Sequence, residues 1–79
     1  MQVKVYAPFR TYFEGPARSF SAANKTGPFD ILPGHKNFMT LLSPSTITVR
    51  MPDKPDFQLK VSRGVVHVKH DKTTVFLDI

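Results

Sequence analysis

Residues 66–79, VHVKHDKTTVFLDI, decide the fold class of this chain. Apolar and polar side chains alternate on both sides of His70–Lys72, a segment whose residues are typical of a turn. Successive side chains of a β-strand point to opposite faces, so an alternation of period two gives a strand one apolar face. The stretch therefore predicts two strands separated by a turn, each with one buried face.

The same alternation recurs along most of the chain. It is present at residues 3–7, 47–51 and 57–61, and a short apolar strand is predicted at residues 29–32. Residues 36–42 suit either a strand or a turn of helix, and their neighbours favour a strand. Turn signals separate these runs at Glu14–Pro16, Gly27–Pro28, Pro33–Gly34, Ser43–Ser45, Pro52–Pro55, Arg63–Gly64 and His70–Lys72. Many short strands between such turns predict an all-β fold, either a sandwich or a barrel.

The composition is that of one folded domain. The 79 residues are 41% hydrophobic, with a net charge of +5 and a pI of about 9.9. This hydrophobic content excludes a disordered tail, and the lack of cysteine excludes disulfide frameworks and thiol nucleophiles. No apolar run approaches the roughly 18 residues of a membrane span, and no secretory signal opens the chain. We expect one domain over residues 1–79, in a cytosol-like space.

Catalytic and metal sites are not predicted. No nucleophile elbow, phosphate-binding loop or paired-carboxylate motif occurs in the sequence. His67 and His70 are three residues apart, a spacing that places side chains on opposite faces of a strand. Because a closed metal site normally takes four ligands, we expect no metal at this pair.

Binding of single-stranded nucleic acid is the alternative function. The eleven basic residues are spread along the chain and form no concentrated patch in the sequence. The segment Phe9–Phe13 interleaves aromatic and basic side chains, as a stacking platform for bases would. In the other interpretation, Phe13 belongs to the core and Tyr12 to a strand edge.

The segment Gly27–His35, GPFDILPGH, ends in a sharp corner. Proline presets φ at the second position of a turn and glycine supplies a positive φ at the third, so Pro33–Gly34 predicts a type II turn. His35 then follows at the exit of the corner.

This segment resembles the Gly-x-x-Gly-Ile-x-Pro-Gly-His signature of the ε subunit of F-type ATP synthases, called δ in mitochondria. The resemblance covers essentially the whole chain, in order and with similar spacings. Its further elements are Phe13–Gly15, the apolar strand with threonine at Phe38–Leu42, Ser43–Ser45, Ser62–Val68 and Thr73–Asp78. Glycines of the family are replaced here by Asp30, Ser45 and Arg63, and such a replacement is strained wherever the glycine had a positive φ.

The resemblance implies an antiparallel two-sheet β-sandwich that acts as a non-catalytic rotor part. In that family the sandwich packs beside the γ subunit and on the polar loops of the membrane c-ring, so that rotation of the ring reaches the catalytic head. It implies no cofactor, no nucleic-acid partner and a peripheral position at the cytoplasmic face of the bacterial inner membrane. The family's C-terminal helical hairpin is not expected within these residues, so inhibition or ATP binding through it is not carried over.

The resemblance also implies two contact surfaces. The sandwich end built by residues 25–29, with the corner after it, is expected to face the c-ring through Lys25, Thr26, Pro28, Phe29 and His35. Ala7 and Met39 correspond to positions that face γ. The alternatives are core packing for Met39 and a hydrogen bond from the ring to the corner backbone for His35. An uncovered γ-facing patch would favour self-association of the isolated chain.

Overall fold

The computed structural model describes residues 1–78, and within that range the chain forms nine β-strands and no helix. The strands are β1 Gln2–Ala7, β2 Arg10–Pro16, β3 Ser19–Asn24, β4 Gly27–Ile31, β5 Phe38–Leu42, β6 Ser45–Arg50, β7 Phe57–Val61, β8 Gly64–Lys69 and β9 Lys72–Leu77. Ile79, the last residue of the alternation quoted above, lies outside the described residues.

The strands form two sheets that pack face to face, so the predicted β-sandwich is confirmed. The five-stranded sheet has the order β2-β1-β9-β8-β5, and the four-stranded sheet has the order β4-β3-β6-β7. Neighbouring strands run antiparallel at every pairing except one, since β1 and β9 pair in parallel. These first and last strands therefore lie side by side within the five-stranded sheet.

The core consists of the side chains that the alternation places on the inner faces. The five-stranded sheet contributes mainly valines, such as Val5, Val66 and Val75, which are fully buried. The four-stranded sheet contributes Phe20 and Ile47, also fully buried. β-branched and aromatic residues suit this position because they pack well on a pleated surface. Two sheets that share one close-packed core make a stiff body.

Two predicted turns belong to strands instead. Residues 14–16 continue β2, and Gly27 and Pro28 open β4. Both strands lie at sheet edges, where proline is tolerated because it interrupts no ladder on its outer side. The reversal before β4 is at Lys25 and Thr26, where the Thr26 amide donates to Asn24 Oδ1 at 2.9 Å.

The corner after β4 has the predicted turn. The His35 amide donates to the Leu32 carbonyl at 3.1 Å, and Gly34 has a φ of +81°. The Gly34 amide in turn donates to Asp71 Oδ1 at 3.0 Å, which ties the corner to the β8–β9 hairpin. Asp71 and His70 both have positive φ, as a two-residue type I′ hairpin requires.

The three replaced glycines introduce no backbone strain. Asp30, Ser45 and Arg63 are not among the residues of positive φ in the described chain. Asp30 instead accepts a hydrogen bond from the Ser21 hydroxyl of the neighbouring strand. Gly64 is required for another reason, since a Cβ there would lie 2.6 Å from the Phe76 carbonyl oxygen on β9.

Candidate functional site

The outer face of the five-stranded sheet carries a continuous row of apolar side chains. Register pairs Tyr6 with Phe76, Phe76 with Val65, and Val65 with Leu41, across β1, β9, β8 and β5. We call these four residues the apolar row. The Tyr6 and Phe76 rings meet edge to face with centroids 5.1 Å apart, and Leu41 at the sheet edge is 71% exposed.

Met39 extends the apolar row along β5. It lies two residues before Leu41, so both side chains point to the same outer face, and Met39 is 65% exposed. This exposure excludes core packing for Met39. Contiguous exposed apolar side chains on a small protein mark an interaction surface, and methionine adapts to the shape of a partner.

Ala7 does not share this face. Its side chain is 8% exposed and belongs to the core, while its neighbour Tyr6 points outward into the apolar row. A partner at this end of β1 would therefore touch Tyr6 more readily than the Ala7 methyl group. Tyr6, Leu41 and Phe76 are the surface residues that the sequence interpretation missed. They could have been found in the sequence, because each is an apolar residue at a position of a strand that the alternation predicts to face solvent.

The five residues expected to face the c-ring are distributed along β4, the edge strand of the four-stranded sheet, and the turns at its two ends, which we call the β4 side. Lys25 and Thr26 form the tip of the β3–β4 hairpin, beside residues 40–43 at the end of β5. The His35 corner lies at the opposite end of β4, because the whole strand separates it from the hairpin. Pro28 and Phe29 lie along the intervening edge strand.

An aromatic cluster holds the middle of this side. The Phe38 ring lies 5.8 Å from that of Phe29 and 5.5 Å from the imidazole of His35, edge to face in both cases. His35 Nδ1 lies 2.7 Å from the Lys36 carbonyl oxygen. The imidazole therefore also has the backbone-capping geometry of the alternative interpretation, and it is half-buried.

Basic side chains occupy the other end of the outer face. Lys69, Lys72, His67 and His70 border one shallow depression at the β8–β9 hairpin. The turn brings His70 beside His67, although their odd spacing predicts opposite faces. Two lysines next to the imidazoles make this depression unsuited to a cation. No group of three or more metal-ligating side chains occurs among residues 1–78.

The aromatic segment at the β1–β2 turn does not form a stacking platform. Phe13 packs on the core and its ring lies 5.3 Å from that of Phe57. The Arg10 guanidinium lies over the Tyr12 ring at 4.7 Å from its centroid. Phe9 alone is fully exposed at the turn.

Comparison with known proteins agrees with the family resemblance found in the sequence. The family model for the β-sandwich domain of the ATP synthase delta/epsilon chain matches residues 1–79. The ATP synthase epsilon chain of Synechococcus elongatus is 32% identical over 78 residues, which are 99% of this chain and 56% of that protein. The corresponding chain of Nitratiruptor sp. is 24% identical over 78 residues, 99% of this chain and 60% of its own length. The chain thus spans little more than half of these curated relatives.

Solved structures show the same fold. A chain of the mitochondrial ATP synthase of Euglena gracilis, from an OSCP/F1/c-ring structure, superposes with a TM-score of 0.87 at 17% identity. The match covers 95% of this chain and 48% of the Euglena chain. A chain of the central stalk and c-ring structure from Tetrahymena thermophila superposes with a TM-score of 0.85 at 13% identity, covering 99% and 63%. Finally, the described residues contain no helix long and apolar enough to cross a membrane.

Proposed function

Since the chain belongs to the family of ATP synthase delta/epsilon chains, we propose that it is a non-catalytic rotor subunit of the central stalk. In this proposal residues 1–79 form one β-sandwich domain. The domain would pack against the γ subunit and the c-ring, and would so help to couple ion-driven rotation of the ring to ATP synthesis. It acts as a peripheral part of the complex at the cytoplasmic face of a bacterial inner membrane, as its similarity to bacterial epsilon chains suggests.

The exposed apolar surface of the five-stranded sheet is the observation that carries this proposal. Met39 and Leu41 are each about two-thirds exposed or more, beside the partly exposed pair of Tyr6 and Phe76. Leaving such side chains in water costs about 25 cal/mol for each Å² of apolar surface, which a partner surface would recover. We assign γ to this outer face, with Met39 and Leu41 making contact at the β5 edge and Ala7, which is nearly buried, contributing little side-chain contact.

The β4 side supplies the second surface, for the c-ring. Lys25 and Thr26 protrude at the hairpin tip, and both are exposed. Pro28 is exposed on the edge strand, where a missing N–H prevents unwanted strand pairing. The polar side chains and the exposed backbone of the β4 side can form hydrogen bonds with the polar loops of the c-ring. His35, stacked on Phe38, would make the contact at the other end of the same side.

Cysteine cross-linking tests both assignments in one assembled complex. The chain contains no cysteine, so Met39→Cys, Leu41→Cys or Thr26→Cys introduces the only attachment point in it for a short photoactivatable cross-linker. We expect Met39→Cys and Leu41→Cys to cross-link to γ and Thr26→Cys to cross-link to the c subunit, with the products identified by mass spectrometry.

The matched control is Gln58→Cys. Gln58 is exposed on β7, in the other sheet, and belongs to neither proposed surface. Cross-linking to γ that is as efficient from residue 58 as from residue 39 would contradict the γ assignment. Cross-linking from residue 26 to γ alone would contradict the c-ring assignment.

A further inference from the structure

The outer face of the five-stranded sheet changes from apolar to basic along the strands. The apolar row lies at one end, and the next row in register contains Glu14, Lys4, Thr74, His67 and Met39. The row beyond it contains Gln2, Lys72 and Lys69. Rows of one face are two residues apart, about 7 Å along a strand, so Lys69 and Lys72 lie about 14 Å from the apolar row.

Lys69 and Lys72 oppose no carboxylate within the described residues, whereas Lys4 lies opposite Glu14 of β2 in register. Neither Lys4, Lys69 nor Lys72 takes part in an ion pair among residues 1–78. Lys4 Nζ lies over the Tyr6 ring, 4.8 Å from its centroid, and so joins the basic end to the apolar row. The nearby Asp71 carboxylate accepts a hydrogen bond from the Gly34 amide and lies 3.6 Å from the N-terminal ammonium of Met1.

Two of these lysines oppose each other directly. Lys69 and Lys72 form the pair that closes the β8–β9 hairpin. Like charges at opposed positions of an antiparallel pair destabilise a hairpin. Their presence is therefore not explained by the stability of the sandwich.

We propose that this face binds a protein surface that is apolar opposite the apolar row and acidic opposite Lys69 and Lys72. The inference rests on the proposed function, in which γ covers this face, and it adds the requirement that γ present Asp or Glu side chains about 14 Å from its apolar contact. On a helix that separation corresponds to about nine residues.

A protein partner fits the shape of this face better than a lipid surface does. Val65 is half-buried and the Tyr6 and Phe76 rings meet edge to face, so within the apolar row only Leu41, at the sheet edge, projects strongly into solvent. Insertion into a bilayer requires apolar side chains that project from the surface. The fully exposed Phe9 projects in this way, but it lies at the β1–β2 turn, outside the rows of the outer face.

The test compares two double variants of the full natural chain for binding to the cognate γ subunit at low and at moderate salt. Lys69→Gln/Lys72→Gln is expected to weaken binding about fivefold at low salt and much less at moderate salt, because exposed charge pairs are screened. The control Lys54→Gln/Lys60→Gln removes the same charge from a loop and from β7, and its affinity is expected to stay within about twofold of wild type. Thermal unfolding of Lys69→Gln/Lys72→Gln is expected at or above the wild-type temperature, since a like-charge pair is removed.

Each other outcome overturns the inference. Equal losses in the two double variants would show an effect of net charge alone, and no loss in either would show that the lysines face solvent. Reduced binding of Lys69→Gln/Lys72→Gln to phosphatidylglycerol vesicles with unchanged binding to γ would assign the cluster to lipid. In all three cases wild-type binding to γ leaves the proposed function intact, whereas wild type that fails to bind γ overturns both.

Discussion

Replacing Met39 and Leu41 together by aspartate is expected to weaken binding to γ at least about 100-fold, or about 3 kcal/mol. Both side chains are largely exposed in the free chain, so the change should leave the fold intact. In the complex, however, the two carboxylates would be buried against an apolar surface of γ without hydrogen-bond or charge partners. Burying them in this way costs far more binding free energy than losing the apolar contacts of Met39 and Leu41. Calorimetric titration of γ with each variant would measure the loss.

A control of the same charge separates this effect from repulsion at a distance. Thr46→Asp/Gln58→Asp places two carboxylates on the outer face of the other sheet, where both native side chains are exposed. Its affinity for γ should remain close to that of wild type. If both variants lose affinity equally, or if Met39→Asp/Leu41→Asp binds normally, γ does not cover the apolar row. The same variant should also remove any self-association that this surface causes in the isolated chain.

Replacing Phe20 by alanine is expected to destabilise the chain by about 3–5 kcal/mol. Phe20 is completely buried on β3, between Ile31 of β4 and Val49 of β6. Its removal would leave a cavity between two sheets that cannot collapse without breaking their strand pairing. A domain of this size has a free energy of unfolding of only about 5–15 kcal/mol, so the loss is a large fraction of the total.

Urea denaturation followed by circular dichroism would measure this loss. Phe9→Ala is the control, because Phe9 is fully exposed and its removal should change stability by less than about 0.5 kcal/mol. A Phe20→Ala variant that loses less than about 1 kcal/mol would show that the core repacks around β3, contrary to the close packing described here.

A strand could be predicted from the sequence where the side chains that it contributes to the core are large and apolar. The alternation at residues 66–68 and 74–77 identified β8 and β9 correctly, because valine and leucine point inward and polar residues mostly point outward. β3 was missed because its inward residues are Phe20 and Ala22, which do not form a β-branched alternation. Small residues are accepted there because Phe20 supplies most of the volume.

Which surface residues come together was less predictable, because the alternation of apolar and polar residues does not specify the order of the strands in a sheet. The apolar row forms only when β1, β9, β8 and β5 become neighbours, and two of these strands come from opposite ends of the sequence. Similarly, Lys25 and Thr26 are close to His35 in sequence but lie at the opposite end of β4. The corner itself was predictable, since Pro33 and Gly34 have the backbone preferences of a type II turn.

The most direct test of the central claim is size-exclusion chromatography of the wild-type chain mixed with its cognate γ subunit, at low and at moderate salt. A rotor subunit that packs on γ through the apolar row should co-elute with it in a one-to-one complex at both salt concentrations, because apolar burial is insensitive to screening. Separate elution at both concentrations would contradict the account. It would be contradicted further by binding to single-stranded DNA that falls steeply with salt, the behaviour expected of a nucleic-acid-binding domain.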